Sequence, residues 1–227
     1  MRLFITGTDT NIGKTYVSCN LLTVLKNAGL STIGIKPVSS GCQMTAQGLR
    51  NEDALLLQKH ASLDLPYSLV NPLAFEPPVA PFIPAEMNQI KLTCQSIVGH
   101  TQAALNIPAD VHLIEGVGGW FMPLSNTETM ADVAIQLEAE IIMVVGMRLG
   151  CLNHALLTYE AICQKTNKLI AWVANCIDPE MPYIDKNISL LQARIDVPLL
   201  SVINYGGEMR LFEEEIYRIF ATHKLEL

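Results

Sequence analysis

The run Gly7-Thr8-Asp9-Thr10-Asn11-Ile12-Gly13-Lys14-Thr15 carries residue types that can hold a phosphate chain. Backbone N–H groups of such a turn, continued by the first turn of a helix, can cradle phosphate oxygens. Lys14 can neutralise the terminal phosphates, and the Thr15 hydroxyl can ligate Mg²⁺. Gly13 allows the main chain to approach closely. The run sits between a short apolar segment and an amphipathic one, the strand-to-helix setting that a P-loop requires. The usual GxxxxGK[ST] spacing would place its first glycine at position 8; here Thr8 stands there and the glycine is one place earlier. A glycine-rich turn with no ligand is the competing reading, but GKT, strand and helix together favour nucleoside triphosphate binding.

A phosphate-bound Mg²⁺ needs an acid at the end of another strand. Val111-His112-Leu113-Ile114-Glu115 supplies one, with Gly116, Gly118 and Gly119 behind it, so Glu115 is placed like a Walker-B carboxylate. In Asn51-Glu52-Asp53 the acids suit the first turn of a helix capped by Asn51, and taken alone Asp53 reads as a dipole partner. Lys36 follows a second apolar run and could stabilise a transferring phosphoryl group; taken alone, it reads as a solvated lysine. The chain has no nucleophile elbow, His/Glu metal motif or kinase catalytic-loop signature, so catalysis would rest on positioning and charge.

Six short apolar runs must position these groups: 3–6, 32–36, 111–115, 141–146, 169–175 and 199–203. Their unbroken hydrophobicity suits strands covered on both faces. Val17, Leu21, Leu25 and Ala28 recur at helical spacing, as do Ile90, Cys94, Ile97, Val98 and Leu105, and the segment 153–164 is similar. Strand and helix alternate, which predicts a doubly wound α/β fold with a mostly parallel sheet flanked by helices. In such folds ligands bind beyond the carboxyl ends of the strands, where the candidates above fall. One stretch breaks the order: six of the twelve prolines lie between Pro66 and Pro84, which predicts no regular helix there. This loop, at about 66–86, reads equally as a rigid surface connection or as a wall over a ligand.

The 227 residues fit one domain, 1–227. Half the residues are hydrophobic, 16% are charged and the mean hydropathy is +0.29, which excludes disorder as the main state. A net charge of −7 makes nucleic acid and anionic membrane surfaces poor partners. No apolar run approaches a membrane span, and Met1 leads directly into a strand, so the chain reads as cytoplasmic. The six cysteines are scattered, with no CxxC pair, and read mostly as small core residues.

Taken together, GTDTNIGKT (7–15), IKPVSSG (35–41), GLRNEDA (48–54), VNPLAF (70–75), LIEGVGGWFMPL (113–124), VVGMRLGCLNHALLT (144–158) and WVAN (172–175) closely resemble the dethiobiotin synthetases, P-loop NTPases, in collinear order over roughly 1–205. The resemblance implies that 7,8-diaminononanoate, CO₂ and MgATP give dethiobiotin, ADP and phosphate through a carbamate and a carbamic-phosphoric anhydride. It implies that Asn11, Ile12, Gly13, Lys14, Thr15 and Tyr16 hold the nucleotide with Gly116, Val117 and Gly118. Lys14 and Lys36 would be catalytic, and Thr15, Asp53 and Glu115 would hold Mg²⁺. Asn175 would meet the adenine edge, with Cys176 and the segment Asn204-Tyr205-Gly206 beside it. Ser40 and Gly118 would contact the diamine or carbamate. Gly150, Cys151, Leu152 and Asn153 would receive the substrate carboxylate across a homodimer interface, at a helix start whose N–H groups suit an anion.

Three departures from the family pattern stand out. Asn11 replaces an acidic residue, Ile203-Asn204-Tyr205-Gly206 replaces an IPxL-type segment, and Phe82 follows Pro81 where a histidine is common. Two other functions compete: a related P-loop synthetase of amidotransferase type, for whose glutaminase domain the length leaves no room, and a non-catalytic nucleotide-binding paralogue. The acidic segment Glu213–Glu215 is expected to face water.

Overall fold

A computed structural model describes residues 1–207 and Met209; the acidic segment at 213–215 lies outside the described residues. The chain opens with β1 (Arg2–Gly7), the phosphate loop and α1 (Lys14–Asn27), then β2 (Thr32–Ile35). Short elements follow: β3 (Val38–Ser39), the hairpin β4 (Gln43–Thr45) and β5 (Gly48–Arg50), α2 (Glu52–His60), α3 (Tyr67–Val70), β6 (Leu73–Ala74) and α4 (Phe82–Met87). Regular alternation then resumes with α5 (Cys94–Leu105), β7 (Val111–Glu115), α6 (Met130–Gln136), β8 (Glu140–Met147), α7 (Cys151–Lys165), β9 (Leu169–Cys176), α8 (Ile184–Gln192) and β10 (Leu199–Ile203).

The six apolar runs form one parallel sheet in the order β10-β9-β8-β1-β7-β2. Their continuous hydrophobicity has the expected cause. Leu3 and Ile5 of β1 pack with Val17, Leu21 and Leu25 of α1 on one face, while Phe4 joins Ile114, Met143 and Trp172 on the other. Because β1 lies between β7 and β8, the loop at its carboxyl end has neighbours on both sides. Ile5 is level with Glu115, and Gly7 with Val144. Among the described residues, no helix is long and apolar enough to cross a membrane.

Two predictions need correction. The proline-rich stretch does hold regular helix, because Pro66 and Pro81 occupy the N-cap positions of α3 and α4 and Pro84 falls in the first turn of α4. In a first turn proline removes no intrahelical bond. The apolar stripe read from Ile90 also starts too early: α5 begins at Cys94, where the Thr93 side chain accepts the Ser96 N–H at 3.1 Å. Asn51 caps α2 as expected, accepting the Ala54 N–H at 3.2 Å.

Candidate active site

The phosphate loop is shaped by two left-handed residues, Asn11 (φ 58°) and Gly13 (φ 83°). Asparagine tolerates that conformation better than an acidic residue with a longer side chain, so Asn11 suits the bend. At Gly13 a Cβ would fall on the side-chain nitrogen of Asn175, so only glycine fits. The side chain of Ile12 is buried beneath the loop. Lys14, also buried, turns its ammonium back to the Asp9 carbonyl at 2.8 Å. Burial, then the nearby Lys36, lower the Lys14 pKa to about 8 against the pull of Glu115, Asp53 and Asp9.

The acids arrive from two other elements. Glu115 ends β7, and its Oε1 accepts the Thr15 hydroxyl at 2.9 Å and the Lys36 ammonium at 2.5 Å. Asp53, in the first turn of α2, places Oδ2 at 3.1 Å from the same ammonium. Asp53 therefore serves helix and site together. Lys36 is not the solvated lysine read from its residue type: it is 4% exposed, because it follows β2 into the gap between these acids. Burial opposes its charge, but Glu115 and Asp53 outweigh burial and hold its pKa above the ordinary lysine value. Burial likewise opposes the Asp53 charge, yet Lys36, the Thr15 hydroxyl and Lys14 keep that carboxyl below its usual range.

Whether these residues suit a divalent cation is tested by Glu115. Its Oε2 is buried with no hydrogen-bond partner among the described residues, an arrangement costly for a carboxylate unless a cation or donor meets it. Thr15, Asp53 and Glu115 form an all-oxygen donor set of the kind Mg²⁺ takes.

These groups line a cavity of about 720 Å³. Asn11, Gly13, Lys14, Thr15, Lys36, Ser40, Asp53, Glu115, Val117 and Gly118 all face it. Residues 78–81 of the proline-rich loop form one wall, so of the two readings of that loop the structure favours the wall. Thr10, Ser39 and Met122 also line the cavity; each lies inside a quoted motif, but its residue type alone does not mark it as a site residue. Asn51 lines it too, a role its cap position did not reveal. Gly116 contributes its carbonyl, 3.3 Å from Lys36 Nζ.

The remaining candidates lie elsewhere. Asn175, at the end of β9, donates to the Ile12 carbonyl at 2.7 Å and so sits against the phosphate loop. Ile203 is its register partner on β10, which brings Asn204, Tyr205 and Gly206 nearby. The Tyr16 hydroxyl reaches that turn, donating to the Gly207 carbonyl at 2.6 Å. Cys176 turns the other way, into the core with Trp172 and Ala174, leaving only its backbone toward this region. Gly150, Cys151, Leu152 and Asn153 stand at the start of α7 and do not line the cavity; Cys151 is buried and Asn153 exposed. Arg148, just before them, was missed from sequence. Its guanidinium pairs with Asp9 of the phosphate loop at 2.5 Å, a contact between residues 139 apart that no local pattern announces.

A parallel sheet with strand, glycine turn and GKT-led helix at its centre, and a buried acid on the neighbouring strand, defines a P-loop nucleotide-binding protein. Solved structures agree on the fold. The cell division protein FtsY of Thermotoga maritima aligns with a TM-score of 0.53 at 14% identity, over 96% of this chain and 66% of that one, so this chain spans just under two thirds of that length. A family model described as an AAA domain matches residues 1–209. An ATP-dependent dethiobiotin synthetase of Cellvibrio japonicus is 48% identical over 200 residues, 88% of this chain and 87% of the relative. One from Pseudomonas aeruginosa is 46% identical over 220 residues, 97% and 94% of the two chains. The chain belongs to the ATP-dependent dethiobiotin synthetase family, a family of ligases.

Proposed function

We propose that the protein closes the ureido ring of dethiobiotin in biotin synthesis, from 7,8-diaminononanoate, CO₂ or bicarbonate, and ATP. The observation that carries this reading is the meeting of two buried lysines, two acids and a hydroxyl, from the ends of β1, β2 and β7 and the start of α2, around one cavity. One amine of the diamine captures CO₂ as a carbamate, ATP phosphorylates a carbamate oxygen, and the neighbouring amine attacks the activated carbon and expels phosphate. A carbamate oxygen leaves poorly until phosphorylated, and the second amine is tethered beside it, so the protein supplies position and charge rather than a nucleophile.

In this reading the turn 11–15 holds the phosphates through backbone N–H groups. Lys14 and Lys36 balance the charge on the transferred group. Thr15, Asp53 and Glu115 hold Mg²⁺, which when bound neutralises phosphate oxygens. Ser40 and Gly118 face the diamine or carbamate from the cavity wall. Asn175, with Cys176 and the 204–206 turn beside it, meets the base. The segment 150–153 binds the substrate carboxylate of a second copy, a role supported by the exposure of Gly150 and Asn153 at the start of α7 and by Leu149, which is 91% exposed beside them. We further infer a cytoplasmic homodimer with one domain per chain.

The test is ADP release with diamine and bicarbonate omitted in turn. Turnover should vanish in both omissions. Undiminished ATP hydrolysis without diamine would identify a nucleotide switch instead.

A further inference from the structure

Lys36 has a second property that its charge-stabilising role does not need. Its ammonium lies between the two acids read as metal ligands, 2.5 Å from Glu115 Oε1 and 3.1 Å from Asp53 Oδ2. Those acids come from different elements, the end of β7 and the first turn of α2, and face each other across this gap. An ion chelated by both must enter the same gap. Mg²⁺ demands oxygens at about 2.0–2.1 Å in near-octahedral order, and an ammonium a few ångströms away in a buried setting repels it strongly.

We propose that the Lys36 ammonium and the divalent cation are alternative occupants of one seat between Asp53 and Glu115, so that loading the cation drives the ammonium out of that gap into the cavity that Lys36 already borders. The inference rests on the metal reading given above. The lysine has somewhere to go: Nζ already donates to the Gly116 carbonyl at 3.3 Å outside the gap, and Lys36 borders the open cavity. Lys36 thus becomes available to the transferred group once the cation is in place. A released ammonium needs no cleavage of any bond, only rotation about its four-carbon stem. Lys14 provides the contrast. It shares the charge field of the same acids, but its ammonium bonds the Asp9 carbonyl and does not lie in the gap.

Mn²⁺ binding to the nucleotide-free full chain, followed by the electron paramagnetic resonance of free Mn²⁺, tests this. Lys36→Met should tighten Mn²⁺ at least ten-fold and Lys14→Met less than three-fold. Equal tightening would assign the effect to the general field and overturn the proposal, as would no tightening in Lys36→Met. Glu115→Gln separates the two levels. If it leaves Mn²⁺ binding unchanged, the metal reading fails and the proposal with it; if it abolishes binding while Lys36→Met has no effect, only the proposal fails. Should Lys36→Met not fold, the wild-type chain still answers. Acetylation of Lys36 by acetic anhydride, scaled to the half-exposed Lys165 in the same digest, should rise several-fold on adding Mg²⁺, and an unchanged ratio would overturn the competition.

Discussion

The two ends of the proposed nucleotide site are built differently. At the phosphate end Lys14, Lys36 and Glu115 are buried and their charges are bonded to one another or to backbone carbonyls. At the base end the turn 204–206 is exposed, Tyr205 to 64%, and is fastened to α1 by one tyrosine hydroxyl on the surface. The first end is fixed by desolvation, where misplacing a charge is costly. The second is fixed by a few hydrogen bonds open to water, each worth about 1 kcal/mol. Chemistry should therefore depend steeply on the first end, and nucleotide affinity more gently on the second.

Substitution at Lys36 is the most severe test of that contrast. Lys36→Ala should lower kcat by roughly a hundred-fold or more while the KM for ATP stays within about three-fold, because in the proposed reaction its charge acts mainly during transfer. A large rise in KM with unchanged saturated turnover would move Lys36 to the binding side.

A pH titration probes the same end without mutation. With the free Lys14 amine titrating at about 8, a phosphate that favours the charged form loses affinity as pH rises through that value. ATP affinity by calorimetry should fall about ten-fold between pH 7 and 9, with up to about half a proton taken up on binding at pH 8. Flat affinity and no proton uptake would place the Lys14 titration elsewhere.

Asn175 joins the two ends, since it ties the Ile12 carbonyl and adjoins the 204–206 turn. Asn175→Ala should raise the KM for ATP about five-fold to ten-fold and change kcat little. Equal damage to kcat would show that its bond to the phosphate loop matters more than the base. Tyr16→Phe should give the smallest effect, about a two-fold to three-fold rise in the KM for ATP with kcat unchanged, measured in steady state.

What could be read from the chain follows the same division. The six strands were legible because each is covered on both faces, so burial left an apolar run without alternation. The phosphate loop was legible because its function needs a local backbone shape, and local shape is written in consecutive residues. Glu115 was legible from its position at a strand end. Asp53 and Lys36 are ambiguous as single residues, because helix-dipole and solvated-lysine readings are common, and only the pairing of β2 with β7 and the packing of α2 against β2 join them. Arg148 with Asp9, and Tyr16 with Gly207, could not be read at all, since each pairs residues more than a hundred positions apart. The two short helices in the proline-rich stretch are hidden in the sequence because proline breaks a helix interior but fits a helix start, where Pro66 and Pro81 stand.

Ile12 gives the loop a further character. Its side chain drops beneath the turn and is wedged against Gly146 of β8, where a Cβ would collide with it. The loop is thus keyed into the sheet floor like a peg in a socket and surrenders little freedom when a ligand arrives. A bulkier residue at position 146, on a different strand and with no ligand in reach, would lift the peg and spoil the grip from below.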